Sequence, residues 1–175
     1  DSSVRVFSGD DIDLIYSAQG TTGLISRVKI KIHKNIPLTP LLLRFNKSED
    51  LAAYLFEISQ KELNIYHANC FIGESLERRI KVLKESKGQK FPIFADPEVV
   101  KNLDLDSIEV INNGAYLLLS VEGETINPEI LDIAGKNGGS KESELLAKFL
   151  WGERFYPMRE KRLGPSLIPS EAVIS

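Results

Sequence analysis

The sequence is short of several residue types that would announce a chemistry. It has one cysteine, Cys70, in 175 residues. A single thiol excludes an intrachain disulfide and any Cys-rich zinc or iron–sulfur site within these residues, and it suits a reducing compartment. Charge of one sign is also missing: 22 Lys and Arg face 25 Asp and Glu, for a net charge of -3. With no basic excess to neutralise phosphates, nucleic acid is not an expected partner. No apolar run approaches the ~20 residues of a membrane-spanning helix; those around Leu41–Leu43 and Leu117–Leu119 are strand-sized. The two histidines, His33 and His67, lack metal-ligand spacing and read as structural. Asp10, Asp11 and Asp13 lack the full calcium-loop pattern and read as a turn. No Ser–His–Asp set or nucleophile elbow is present, so neither a catalytic residue nor a metal ligand is expected.

What is present is globular: 42% hydrophobic and 27% charged residues. A chain of this size suits one domain, or one domain plus a fragment of another. Residue 1 is Asp, and no signal-peptide pattern follows, so the sequence reads as a piece of a longer protein. Val4–Phe7 is a short extended candidate. From Val28 to Ile32 apolar and basic residues alternate with period two, which predicts a half-buried strand. Pro37 and Pro40 mark a connector. The expected division is therefore 1–36 and 37–175.

Beyond the connector, Leu41–Phe45, Ile65–Ile72 and Ala115–Val121 read as strands, with Cys70 a buried small hydrophobe. Ser48 is the expected N-cap of a helix through Leu51, Leu55 and Ile58, and a second helix is expected over Glu74–Lys87. Asp96-Pro97 and Asn127-Pro128 each predict a capped helix with proline in the first turn. Gly138 and Gly139 read as a joint, after which Ser140 caps a helix that buries Leu145, Leu146, Phe149 and Leu150; Ile168 and Ala172–Ile174 read as weakly extended. The order predicts an α+β fold of ferredoxin-like type, an antiparallel sheet with helices on one face.

Two constellations carry chemistry. Gly20-Thr21-Thr22-Gly23 precedes a strand, and glycines let backbone approach a ligand closely. Its exposed N–H groups and threonine hydroxyls suit a diphosphate or a flavin carbonyl, or the loop is an ordinary tight turn. It is neither a Walker loop nor a Rossmann fingerprint. At the end of the last strong helix, Arg154 follows Trp151 by three residues, so both reach one face. A fixed guanidinium beside an aromatic wall suits a carboxylate. The alternative is an arginine satisfied by the helix dipole or by Glu153. Arg159, Lys161 and Arg162 read as a solvated basic face.

Taken together, Asp13–Ser26, with Gly20-Thr21-Thr22-Gly23-Leu24-Ile25 at its heart, and Leu150-Trp151-Gly152-Glu153-Arg154 with Leu163–Ile174 resemble FAD-linked oxidases of the vanillyl-alcohol-oxidase type, including glycolate oxidase and D-lactate dehydrogenase. Gln19, Leu24 and Ser26 depart mildly from that family's usual loop, and Pro169 and Ser170 stand where related enzymes often place a lysine. The resemblance implies that 1–36 is the tail of an FAD-binding domain and 37–175 a substrate cap domain incomplete at its C-terminus. Gly20, Thr21, Gly23, Leu24 and Ile25 would lie along FAD, and Arg154 with Trp151 would hold the carboxylate of a small 2-hydroxy acid such as lactate or glycolate. It implies a parent oxidoreductase that passes a hydride to the flavin, with an electron-acceptor subunit or quinone as partner. That parent would be cytoplasmic, with peripheral membrane attachment as a variant. The family's pyrophosphate loop and its downstream histidine segment are not in these residues, so the chain alone is expected neither to retain FAD nor to turn over. The competing expectation is a stand-alone ferredoxin-like ligand-binding or assembly module without catalysis.

Overall fold

The computed structural model describes residues 4–14, 24–32, 34–85 and 95–154. The Gly20–Gly23 loop, His33, the basic run at 159–162 and the extended candidates at 168–174 lie outside them. The chain divides into two compact units, residues 1–35 and 36–175.

In the first unit, the expected acidic turn is a short 3₁₀ helix over Gly9–Leu14. Neither Val4–Phe7 nor the 24–32 segment joins a strand ladder. The alternation of Val28, Ile30 and Ile32 therefore does not make a half-buried strand: they are 71%, 72% and 82% exposed. The pattern is that of a strand, but no described residue of this unit offers it a ladder or a core.

The second unit is built on a four-stranded sheet. Strands β1 (Leu38–Phe45), β2 (Ile65–Ile72), β3 (Ala115–Glu122) and β4 (Gly139–Lys141) lie in the order β2-β3-β1-β4. Every neighbouring pair is antiparallel. The central strands read as near-continuous apolar runs because both of their faces are covered. On one face Leu41, Leu43, Phe45, Leu117 and Leu119 pack against helices α1 (Ser48–Ser59) and α4 (Pro128–Lys136). On the other, Leu42, Tyr116 and Leu118 pack against α2 (Gly73–Glu85), α3 (Pro97–Asn102) and α5 (Glu144–Gly152). The expectation of helices on one face is thus corrected: Leu42 and Leu118, each almost wholly buried, need a second apolar layer, worth roughly 1.5–3 kcal/mol per leucine.

Local signals explain where helices start. Asp96 and Asn127 accept the backbone N–H groups of Glu98 at 2.8 Å and Glu129 at 3.0 Å, and each is followed by its proline. Ser48 is the first residue of α1 rather than its cap. The predicted joint at Gly138-Gly139 resolves into a left-handed turn at Gly138 and strand β4, which moves the start of α5 from Ser140 to Glu144. Pro40 lies inside β1 rather than in a connector. Cys70 is exposed rather than buried, because among the described residues β2 is an edge strand that pairs only with β3. Among the described residues, no helix is long and apolar enough to cross a membrane.

Candidate functional site

The polar features gather where α5 ends over β2. Helix α5 buries Leu146, Ala147, Phe149 and Leu150. That leaves Trp151, the next residue along, half-buried at the margin of the core. Its indole meets the His67 imidazole edge-on, with ring centroids 5.3 Å apart at 67°. Arg154, three residues on, returns over the same indole, with its guanidinium carbon 3.7 Å from the ring centroid. Its Nη1 donates to the Trp151 carbonyl at 2.6 Å. That carbonyl belongs to the last turn of α5, where unpaired acceptors and the negative end of the dipole favour a cation. Dipole satisfaction and aromatic stacking therefore act on the same guanidinium. The stacking is worth about 1 kcal/mol for a half-buried pair.

The neighbouring residues hold this corner in place. The Ala95 N–H donates to Glu153 Oε1 at 3.3 Å, tying the end of α5 to the segment ahead of α3. Gly152 makes that approach possible: a Cβ there would stand 2.5 Å from Ala95 Cα.

Strand β2 supplies the floor. Ile65 pairs with Val121 and His67 with Ser120, so Tyr66 is an extra residue in a β-bulge. Bulges re-aim side chains and recur beside functional sites. Tyr66 is exposed, and its phenol interacts electrostatically with Arg154. Burial lowers the Arg154 pKa and Tyr66 partly offsets this; a guanidinium still keeps its charge at neutral pH. Burial first, and the Arg154 charge second, hold the His67 imidazole below its ordinary value of 6.5. His67 is thus mostly neutral at pH 7. Its Nε2 is buried and makes no hydrogen bond to a described residue, and the same holds for Ser120 Oγ, directly across the strand pair. An unpaired buried polar atom costs about 1–3 kcal/mol, so two of them side by side are an uncommon expense in a core.

A pinned guanidinium, an aromatic wall and a neutral imidazole suit a small planar anion, above all a carboxylate. Among the described residues, no group of three or more His, Cys, Asp or Glu side chains is placed to hold a metal. Of the residues expected along a flavin, Gly20, Thr21 and Gly23 lie outside the described set. Leu24 and Ile25 belong to the first unit and are 96% and 61% exposed. They are available to cover a flat apolar ring but bring no side-chain hydrogen bond, so flavin contacts there would rest on backbone amides.

Tyr66 and Ser120 carry no signal in the sequence, and His67 reads there only as a structural histidine. His67 stands 84 residues before Trp151 in an otherwise ordinary strand, and no spacing links the two. The strand pairing and the packing of α5 bring them together. In comparisons with known proteins, no protein family, curated protein or solved structure matches this chain.

Proposed function

We propose that the chain is part of an FAD-dependent oxidoreductase acting on a small 2-hydroxy acid, with Arg154 as the residue that holds the substrate carboxylate. The observation that supports this is the Arg154 guanidinium fixed over Trp151 and tied to its carbonyl. A cation already held in one geometry loses little freedom on capturing a bidentate anion. The flavin, when bound, would accept the hydride and so supply the redox chemistry. This chain's own part is to bind and orient: Arg154 takes the carboxylate and Trp151 walls the site. The split β–α–β order of the sheet supports a ferredoxin-like cap domain, with α1 and α4 as its two helices and α2, α3 and α5 as an added layer. Such a parent would be cytoplasmic, or peripheral to a membrane if it hands electrons to a quinone.

The test uses Trp151, the only tryptophan. Glycolate and lactate should quench its fluorescence saturably, and Arg154→Ala should abolish that response. In the full-length parent the same substitution should raise KM for a 2-hydroxy acid while flavin content stays normal. Equal quenching with and without Arg154, or unchanged KM, removes the residue from the site. The chain by itself should emerge colourless from desalting after incubation with FAD; a retained flavin band would show that it carries more of the cofactor site than the resemblance implies.

One observation favours the second reading, an assembly module without catalysis. Edge strand β2 has eight residues and no Lys, Arg, Asp, Glu or Pro to discourage pairing. Under that reading the chain is a dimer by light scattering, and Ala68→Lys on the exposed face of β2 makes it monomeric.

A further inference from the structure

The carboxylate reading gives His67 no specific partner atom and Ser120 no task, and both carry a buried polar atom without a hydrogen bond to a described residue. Ser120 is fully buried, and Tyr54 and Tyr116, the other buried residues with a polar side-chain atom among the described residues, use their hydroxyls: Tyr54 donates to the Ile130 carbonyl and Tyr116 accepts the Ile111 N–H. His67 and Ser120 are direct cross-strand neighbours. Side chains in such a pair stand on one face with Cβ atoms about 5 Å apart, close enough for one water to satisfy both Nε2 and Oγ. That would commit Nε2 to the interior. The ring is further fixed by its edge-on contact with Trp151. Nδ1 is then the only nitrogen the imidazole has left for a ligand, on a ring sharing its aromatic neighbour with the Arg154 guanidinium.

We infer that His67 is the second hydrogen-bonding residue of the Arg154 site: it reads the oxygen on the carbon next to the carboxylate, and Ser120 holds its ring from beneath. The inference rests on the carboxylate reading. It adds a basis for selecting 2-hydroxy or 2-keto acids over simple carboxylates, because a site built to pair with a hydroxyl discriminates against a ligand without one. A neutral imidazole suits either ligand, since it can accept from a hydroxyl or donate to a carbonyl. The β-bulge at Tyr66 fits this role, since it sets the direction of the residues on either side.

The experiment compares sodium glycolate with sodium acetate, which lacks the hydroxyl, on the full chain, read by Trp151 fluorescence. The wild type should bind glycolate about 5–10-fold more tightly, the worth of one hydrogen bond. His67→Phe keeps an aromatic ring against Trp151 and should erase that preference while acetate binding stays the same. Ser120→Ala should shrink it. A preference that survives His67→Phe, or one absent from the wild type, overturns the inference while leaving Arg154 in place. If neither acid binds, or Arg154→Gln binds both as before, the carboxylate reading falls and takes this one with it. A measurement on the wild type covers the case in which His67→Phe fails to fold. In ¹⁵N spectra of the two histidines, with His33→Gln for assignment, glycolate should shift Nδ1 of His67 and acetate should not. Equal shifts with both acids, or none, refute the role.

Discussion

Two glycines at helix ends allow a matched test of how the site corner is held. In α4, a methyl group added at Gly135 would meet nothing within 4 Å; in α5, one added at Gly152 would meet Ala95 Cα at 2.5 Å, its Cβ at 2.9 Å and its N at 3.0 Å. Alanine in place of glycine in a helix gains up to about 1 kcal/mol, less at an end. Gly135→Ala has only that term and should stabilise by about 0.5 kcal/mol. Gly152→Ala sets the same gain against overpacking of about 1–3 kcal/mol. The obstructing atoms include backbone, which cannot swing aside, so the clash should win by about 1–2 kcal/mol. With a urea dependence of about 2 kcal/mol per molar, the midpoint falls by roughly 0.5–1 M. The assay is urea unfolding followed by far-ultraviolet circular dichroism. Native-state Trp151 emission should also shift, since the displaced end of α5 carries both the indole and Arg154. If Gly152→Ala proves as stable as the Gly135 variant, α5 does not press on Ala95 as described, and the account of how Arg154 is positioned fails with it.

Other consequences follow from single residues. Because the folded state holds His67 below its ordinary value, the unfolded chain binds the proton more readily. Stability should therefore decline as pH falls through about 6.5 toward the lower folded value, with Trp151 emission changing over the same window; His67→Gln should remove that component, and an unchanged profile would dissociate it from His67. Tyr54 is fully buried, its ionisation pushed far up by desolvation, and its hydroxyl donates to the Ile130 carbonyl at a long 3.5 Å. Tyr54→Phe should cost only about 0.5–1 kcal/mol in urea unfolding, and a loss above about 3 kcal/mol would show a stronger bond than this geometry allows. Cys70 is exposed on the edge strand, yet its surroundings raise the thiol pKa by desolvation. It should react fully with a disulfide reagent in the native state, but more slowly than free cysteine; no reaction without denaturant would place it in the interior.

Much of the second unit was legible because short-range chemistry decided it. Asp96-Pro97 and Asn127-Pro128 cap helices through bonds two residues long, whatever the rest of the chain does. The near-continuous apolar run of β3 marks a buried strand but does not say that helices cover both of its faces. Features that depend on a partner element were misread. The 24–32 alternation describes a strand, but pattern alone does not provide a neighbour. The glycines at 138 and 139 looked like a joint because β4, only three residues long, carries no period of its own. Cys70 looked buried because nothing local says that β2 lies at the sheet edge.

The candidate site divides along the same line. Trp151 and Arg154 were readable as a pair because three residues of helix bring them to one face, a geometry that the covalent chain itself imposes. His67 and Ser120 were not, since strand pairing and the docking of α5 relate them to each other and to Trp151 across sequence separations of 53 and 31 residues. Composition, charge, helix caps and apolar periods are local sums, and the sequence determines them unaided. Which polar atoms end up buried without a partner, and which cation they lie beside, depends on contacts between distant segments, and only the packed tertiary structure decides that.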